Sequence, residues 1–453
     1  MYAKNAWKKY LSNLNEVMDF NEGYKTFLTN GKTERMIVSQ AIALAEAKGF
    51  RPIESFKSLK KGDKVYANNR GKELVLFTIG EEPLEKGINI LGAHVDSPRM
   101  DIKQNPLYES YDFTLLDTHY YGGIKKYQWV TMPLALHGVV FKKDGTKIEV
   151  HIGDDLKDPV VGISDLLVHL SQDQLKKPGA TVVEGEDLDL TVGSIPSNDE
   201  KGSTKTYILN LLKEKYDIEE EDFLSAEIEV VPASPTRDYG LDRSMVAGYG
   251  HDDKVCAYTS LVALLDVDNL KKTGCVLLTD KEEVDSIGAT GAQSLFFENT
   301  LAELINLEGN YSDLKVRRCM SNSNMLSSDV SAGVDPLYAN VNEFKNSAYL
   351  GRGIVFNKYT GSRGKGGCND ANPDFIAQLR NAMDSNDIYF QTAELGRVDQ
   401  GGGGTIAYIL ANYNMNVIDA GIAVLNMHSP MEIVSKVDVY EAYKAYKVFL
   451  ENL

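Results

Sequence analysis

A histidine and an aspartate two residues apart follow a short apolar run early in the chain. The run Ile88–Leu91 is typical of a buried strand, and Gly92-Ala93-His94-Val95-Asp96-Ser97-Pro98 follows it. In an extended segment residues i and i+2 face the same side, which places the His94 imidazole beside the Asp96 carboxylate. Such a carboxylate orients a metal-bound histidine. An isolated pair is more often a surface turn, so the interpretation depends on partners elsewhere in the chain.

Further acidic and imidazole groups stand where other predicted strands end or helices begin. They are Asp252-Asp253, Glu282-Glu283, Asp329 and His428. Taken singly, each has a structural explanation as a helix cap, a solvated acidic turn or a hydrogen-bonded histidine. Taken together, they supply the imidazole and carboxylate ligands that zinc binds. They also suffice for one carboxylate that is shared by two metal ions and for a separate base that activates water. The set therefore predicts a two-metal hydrolytic site.

The elements that must position these groups alternate between strand and helix. From Asp252 onward the pattern predicts a helix over 254–265, a strand over 274–279, a helix over 291–297 and a long strand over 417–426. Val439, Tyr443, Tyr446 and Leu450 mark one face of a final helix. Such alternation predicts an α/β fold with a mostly parallel, helix-covered sheet. Ligands of open α/β sheets collect at the carboxyl ends of the strands.

The middle of the chain has a different pattern of apolar residues and turn sequences. Apolar segments such as Leu134–Phe141 and Lys147–Ile152 are separated by turn sequences such as Asp144-Gly145, which favours antiparallel strands. We predict a β-rich inserted domain over residues 101–235. The catalytic domain would then comprise residues 1–100 and 236–453, and a chain of 453 residues is long enough for two domains.

Composition limits the functional classes. The net charge of −17 argues against partners such as nucleic acids and anionic membranes, because both require basic surface. No apolar stretch is long enough to cross a bilayer, and the N-terminal segment Met1–Lys9 lacks the apolar core of a signal peptide. The four cysteines form no Cys-x-x-Cys pair and suit a reducing compartment. We therefore expect a cytoplasmic protein.

The order of these motifs resembles the aspartyl-aminopeptidase family of co-catalytic zinc metallopeptidases, in its bacterial branch. Four further segments carry the resemblance, which extends over most of the chain: Tyr121-Gly122-Gly123, Leu134–Gly138, Gly401–Ile406 and Met427–Glu432. The resemblance implies two Zn²⁺ ions, for which Co²⁺ or Mn²⁺ can substitute. It implies that the metal ligands are His94, Asp252, Glu283, Asp329 and His428.

The resemblance also implies a role for each remaining group. Asp252 would bridge the ions, and the Asp252–Asp253 peptide bond of such sites is often cis. Glu282 would be the general base, and Asp96 would orient His94. Two residues depart from the family pattern, since Lys254 replaces a frequent arginine and Asp285 a frequent glycine. Both departures are close enough to the ligands to alter substrate preference or metal affinity.

Substrate recognition and assembly are less defined by the sequence. In the loop Lys358–Lys365 a basic group could pair with an acidic first side chain, although a glycine-rich surface loop is an equal alternative. In the family the inserted domain mediates dimer contacts, and dimers assemble into a dodecamer. A histidine of that domain can reach a neighbour's active site, and His169 is similar to it. His169 could equally be a buried helix residue.

Three functions are compatible with these residues. The leading hypothesis is a metal-dependent aminopeptidase that removes N-terminal residues from peptides, with acidic residues the first candidates and neutral or basic ones the alternative. The same ligands would also serve a binuclear-zinc deacylase or carboxypeptidase. The third hypothesis is a non-catalytic scaffold. The presence of Glu282 argues against it, because a protein that has lost catalytic activity does not require a general base.

Overall fold

The computed structural model describes residues 3–199 and 202–453. Met1 and Tyr2 of the N-terminal segment lie outside the described residues. The contacts divide the chain into two units. The first comprises residues 1–96, 236–427 and 431–453, and the second comprises residues 97–235 and 428–430. The sequence prediction placed the corresponding boundaries at 101 and 235.

The helices and strands of both units are numbered together in chain order. The helices are α1 Trp7–Tyr10, α2 Leu14–Asn30, α3 Glu34–Ala47, α4 Thr204–Tyr216, α5 His251–Leu265, α6 Phe296–Glu308, α7 Asp313–Ser321, α8 Ser362–Lys365, α9 Pro373–Ser385, α10 Ala407–Ala411 and α11 Lys436–Asn452. The first ten strands are β1 Arg51–Pro52, β2 Lys64–Asn69, β3 Glu73–Thr78, β4 Asn89–His94, β5 Arg99–Ser110, β6 Phe113–Tyr121, β7 Leu134–Phe141, β8 Lys147–Ile152, β9 Leu190–Gly193 and β10 Ala226–Pro232. The remaining strands are β11 Arg237–Tyr239, β12 Met245–Gly248, β13 Gly274–Thr279, β14 Asn324–Ser327, β15 Ser331–Ala332, β16 Ile354–Asn357, β17 Phe390–Thr392, β18 Asn416–Gly421, β19 Ala423–Leu425 and β20 Glu432–Ser435.

A nine-stranded sheet forms the centre of the first unit, in the order β1-β2-β3-β13-β4-β14-β18-β16-β17. The four central strands β13, β4, β14 and β18 are mutually parallel, so their carboxyl ends share one edge. Most residues of these strands are buried on both faces, as expected for a sheet that is covered by helices. The predicted α/β fold with a mostly parallel sheet is confirmed.

Local signals explain several of these elements. Helix α3 begins after Thr33, whose side-chain oxygen accepts a hydrogen bond from the backbone N–H of Met36. It ends just before Gly49, whose φ of +88° is readily adopted by glycine. Helix α11 buries Val439, Tyr446 and Leu450 of the predicted apolar face. Tyr443 packs against the same core while remaining partly exposed.

Two predicted elements are wrong in detail. The predicted strand over 417–426 is divided between β18 of the large sheet and β19 of a five-stranded sheet. The division falls after Gly421, where an added Cβ would lie 1.9 Å from the Asp329 carbonyl oxygen. The predicted helix over 291–297 begins only at Phe296. Gly291 instead forms a β-bridge with Asp280, and the Gln293 N–H donates to Ser286, so this segment forms a turn.

The second unit is β-rich. Its six-stranded sheet has the order β8-β7-β10-β5-β6-β9, and every neighbouring pair is antiparallel. The β5–β6 hairpin turns at Tyr111 and Asp112, which both have positive φ. Trp129 is fully buried in this unit. Residues 200 and 201, within the polar stretch before α4, lie outside the described residues.

Within the described residues, none of the helices combines the length and apolar character needed to span a bilayer.

Candidate metal centre

His94 and Asp96 form the centre of a polar cluster in the first unit. Strand β4 ends at His94, which is 1% exposed. The His94 Nδ1 atom lies 3.1 Å from the Asp96 carbonyl oxygen and 3.3 Å from Asp96 Oδ1, while Nε2 lies 3.1 Å from Asp252 Oδ1. With the Nδ1 proton directed at Asp96, Nε2 is the ring atom that would bind a metal ion after loss of the proton that faces Asp252.

Asp96 also accepts hydrogen bonds from two backbone N–H groups, which the sequence did not predict. Its Oδ1 accepts the backbone N–H of Glu282 at 3.1 Å, and its Oδ2 accepts that of Glu283 at 3.2 Å. One carboxylate therefore holds both the imidazole ring and the acidic turn. The strand register makes this contact, because Thr279, the last residue of β13, pairs with His94.

The acidic turn presents two glutamates to the same cluster. Residues Glu282–Val284 form a short 3-10 turn immediately after the end of β13. Lys281 and Asp285 flank it with φ values of 68° and 71°, in the left-handed region. Adjacent residues of a regular strand would point to opposite faces, so this turn is what brings both carboxylates to one site. The positive φ of Asp285 also explains why a glycine suits this position.

The Asp252-Asp253 pair begins helix α5. Asp252 has φ −77° and ψ 106°, which is not helical, and the Asp252–Asp253 peptide bond is cis, as the family resemblance implies. The Asp252 N–H donates to Glu432 Oε2 at 2.9 Å. Asp253 accepts the His94 N–H at 3.3 Å and is fully buried. The helix thus carries both carboxylates into the cluster.

Within the first unit, two groups of three side chains have ligand oxygen or nitrogen atoms within 4.8 Å of one another. One consists of His94, Glu282 and Glu283, and the other of His94, Asp253 and Asp329. Asp329 enters the cluster because it follows β14, which is the neighbour of β4. Asp253 is not among the metal ligands that the family resemblance implies. The adjacent acid pair was the available signal, but the sequence did not show which carboxylate faces His94.

The electrostatics of the cluster suit a cation. Burial raises the pKa of both Asp253 and Asp329 well above the usual range, and the neighbouring carboxylates raise it further. Burial alone would lower the pKa of His94, but hydrogen bonds to Asp252 and Asp96 raise it well above its usual value. The buried Oδ1 of Asp253 has no hydrogen-bond partner among the described residues. Zinc fits this donor set, since it binds imidazole and carboxylate and would offset the concentrated negative charge.

His428, the remaining predicted ligand, belongs to the second unit. Its Nδ1 lies 3.0 Å from the carbonyl oxygen of Gly123, within the Tyr121-Gly122-Gly123 motif. His428 has a φ of 65° in the left-handed region. The carbonyl contact fixes the Nδ1–H tautomer and leaves Nε2 as the atom that can bind a metal.

The candidate substrate residues occupy different environments. Lys358 forms an ion pair with Asp370, which also binds Lys365 at 2.9 Å. These two lysines hold the pKa of Asp370 below its usual value. A cavity of about 220 Å³ nearby is lined by Lys365, Tyr359, Glu394 and Arg397, among others, but not by Lys358. The Ser362 and Arg363 side chains of this loop lie outside the described residues.

His169 is exposed in a 3-10 turn, Val168–Leu170, of the second unit. The alternative that His169 is a buried helix residue is therefore wrong. Its apolar neighbours Leu167, Val168 and Leu170 are also exposed, by 54%, 70% and 67%. Lys254, which departs from the family pattern, is fully buried in the first unit and donates through Nζ to the Lys32 carbonyl oxygen at 2.9 Å.

A cluster of imidazole and carboxylate groups at the carboxyl edge of a parallel α/β sheet is typical of metal-dependent hydrolases. Comparison with known proteins specifies the family. The family model described as "Aminopeptidase I zinc metalloprotease (M18)" matches residues 27–450. The chain belongs to the M18 family, and it is a metallo-aminopeptidase.

The similarity to individual relatives extends over nearly the whole chain. A protein of Clostridium acetobutylicum described as a probable M18 family aminopeptidase 1 is 61% identical, with 99% of this chain and 98% of that protein covered. The crystal structure of an M18 aminopeptidase from Thermotoga maritima is 45% identical, covers 100% of both chains and superposes with a TM-score of 0.97. The yeast mApe1 dodecamer structure shares the fold at 20% identity, with 96% of this chain and 97% of that chain covered and a TM-score of 0.77.

Proposed function

We propose that this metallo-aminopeptidase uses a binuclear zinc site and a glutamate base. The observation that carries the proposal is the convergence of His94, Asp252, Glu282 and Glu283 at one sheet edge, with Asp96 bonded to three of their groups. In the proposed set, Asp252 would be shared between the two ions. The remaining ligands are His94, Glu283, Asp329 and His428, of which His428 is included from the family resemblance and its available Nε2 atom.

Glu282 is the proposed base. Its Oε2 lies 3.8 Å from His94 Nε2, so its carboxylate faces the cluster without a direct hydrogen bond to the ring. Zinc, when bound, polarises the scissile carbonyl group and makes a water molecule more acidic. Glu282 accepts the proton of the attacking water and then donates it to the nitrogen of the departing peptide. Asp96 keeps Glu282 in position through the backbone N–H.

Glu282→Gln tests the division of labour between the two glutamates. The variant should lose turnover, because the amide cannot accept the proton, and should still bind two zinc ions. Loss of zinc together with turnover would mean that Glu282 is a ligand and that the two roles are exchanged. Full turnover by the folded variant would refute the proposed base. Metal content is measured by elemental analysis of the purified protein.

Removal of the metal tests the cofactor. Chelator-treated protein should be inactive on aminoacyl-anilides, and Zn²⁺ should restore activity at two ions per chain. Co²⁺ or Mn²⁺ is expected to substitute. Full activity with one ion, or activity that a chelator does not affect, would contradict the binuclear proposal. Peptides with an acetylated N-terminus should not be cleaved, whereas a deacylase or carboxypeptidase would accept them.

For substrate preference, we propose acidic N-terminal residues recognised by the loop that contains Lys358. The support is the pair of lysines, Lys358 and Lys365, beside a cavity of about 220 Å³. A specific observation favours the alternative of a neutral residue, because Asp370 already binds both lysines and offsets part of their charge. A panel of Asp, Glu, Leu and Arg anilides distinguishes the two. Lys358→Met should reduce cleavage of the Asp substrate selectively if the first proposal holds.

We also propose a cytoplasmic homo-oligomer, with dimers that form through the inserted unit and assemble into a dodecamer. The exposed apolar segment around His169 supports such contacts, and the yeast relative is described as a dodecamer. The four free cysteines suit a reducing compartment. Light scattering of the purified protein measures the assembly, and a monomer at working concentration would contradict it. His169→Ala would lower activity without loss of zinc if His169 reaches a neighbouring site.

A further inference from the structure

The acidic turn belongs to a longer loop, residues 280–291, which we call the catalytic loop. Its ends are joined, because the Asp280 N–H donates to the Thr290 carbonyl oxygen at 3.1 Å and Asp280 Oδ2 accepts from Thr290 Oγ1 at 2.6 Å. Within the loop, Gly291 packs so closely on Ser286 that an added Cβ would lie 2.3 Å from its carbonyl oxygen. The two ends of the loop and its middle are therefore joined by contacts within the loop itself.

A buried cation lies beside that attachment. Lys72, in the turn between β2 and β3, places its Nζ 3.3 Å from Asp280 Oδ2 and 3.1 Å from Glu34 Oε1. The side chains of Glu34 and Asp280 are fully buried, and that of Lys72 is 7% exposed. One ammonium group therefore joins the start of α3, the β2–β3 turn and the catalytic loop.

The same turn contacts the other end of the loop. Asn69 Nδ2 donates to the carbonyl oxygen of Ala289 at 2.7 Å, one residue before Thr290. Asn69 also donates to Glu73, the first residue of β3, at 2.9 Å. The β2–β3 turn thus holds the catalytic loop at both ends, whereas Asp96 holds its middle at the backbone of Glu282 and Glu283.

We propose that Lys72 is a positioning residue for Glu282, a role that rests on the proposed function of Glu282 as the base. Without the ammonium group, Glu34 and Asp280 would be two buried carboxylates lacking their shared cation, and desolvation would favour their movement towards water or their protonation. Movement of Asp280 would displace Glu282, which lies two residues further along the loop. A base must lie within hydrogen-bond reach of the proton it accepts, so a small shift lowers turnover strongly.

Lys72→Met is the test, because methionine has a similar length and no charge. We expect kcat to fall about 10- to 100-fold, the scale expected when a group that supports a catalytic site is lost, while KM changes little and two zinc ions remain bound. Lys72→Arg should recover most of the kcat, since it restores a cation between the two carboxylates. The matched control is Lys64→Met in strand β2, whose Nζ binds Asp268 at 3.1 Å and has no contact with the catalytic loop. The control should keep the wild-type kcat.

A purely structural role would lower the melting temperature and zinc content together, and arginine would not restore kcat selectively; that result would overturn the proposal. Wild-type kcat in the folded Lys72→Met protein would overturn it equally. If Lys72→Met does not fold, Asp280→Asn replaces it, because the amide keeps an acceptor for Thr290 and removes the charge that Lys72 binds. Asp280→Asn with unchanged kcat would refute the role. A wrong assignment of the base would be recognised by a different result, namely turnover by the Glu282→Gln variant.

Discussion

Asp96 offers the most direct test of the proposed metal centre, because this one buried carboxylate contacts three of its groups. It accepts the backbone N–H groups of Glu282 and Glu283 at 3.1 and 3.2 Å, and its Oδ1 lies 3.3 Å from His94 Nδ1. Asp96→Asn preserves the shape of the side chain but replaces one acceptor oxygen with an NH₂ donor. That donor faces a backbone N–H or the imidazole N–H, neither of which can accept it.

The expected cost follows from the hydrogen bonds. A hydrogen bond to a charged group contributes about 1.5–3 kcal/mol, and one such bond is lost in the variant. Loss of the partner that orients a metal-binding histidine typically reduces metal affinity or activity about 10- to 100-fold, which corresponds to about 1.4–2.7 kcal/mol. The two ranges agree. We therefore expect both kcat/KM and zinc affinity to fall about 10- to 100-fold.

The assay combines zinc titration of chelator-treated protein with hydrolysis of aminoacyl-anilides at saturating zinc. Asp266→Asn is the matched control, because Asp266 accepts from Lys48 and Tyr443 at 3.1 and 3.0 Å and has no contact with the metal centre. Its zinc affinity and kcat/KM should match those of the wild type. Wild-type values in Asp96→Asn would refute the reasoning, and so would an equal loss in the control.

Two further substitutions address stability and the sheet edge. Burial raises the pKa of Glu73 from its ordinary value of 4.5 to about 8, so the folded state retains a proton that the unfolded state releases, and stability should fall as the pH rises through that range. The free energy of unfolding of Glu73→Gln, measured with urea, should equal that of the wild type near pH 4.5. By pH 9 it should exceed the wild-type value by up to about 5 kcal/mol. A difference in stability that does not depend on pH would contradict this prediction. Gly421→Ala should destabilise the protein by about 1–3 kcal/mol and weaken zinc binding, because the new Cβ would lie 1.9 Å from the Asp329 carbonyl oxygen. Gly179→Ala, with no atom within 4 Å of the added Cβ, is its control, and equal zinc affinity in both variants would show that Asp329 does not depend on this contact.

Periodicity predicted the elements whose signals are local. The final helix, α11, was predicted by the spacing of its apolar residues, and strand β13 by its short apolar run. The long apolar run after Asn416 was misread as one strand, because hydrophobicity does not show that the chain changes sheets at Gly421. That change depends on the close approach of the Asp329 backbone, which is distant in sequence.

The sequence by itself determined the chemical groups of the candidate metal centre and their placement near the ends of predicted strands, because side-chain type and local pattern are properties of neighbouring residues. Only the tertiary structure decided which groups meet. The parallel register that pairs Thr279 with His94 brings Asp96 to the acidic turn, although these segments are nearly two hundred residues apart. The burial of Asp253 beside His94 and the pairing of Lys358 with Asp370 likewise depend on packing. These contacts depend on the tertiary arrangement of strands and loops, and the local pattern of residues does not predict them.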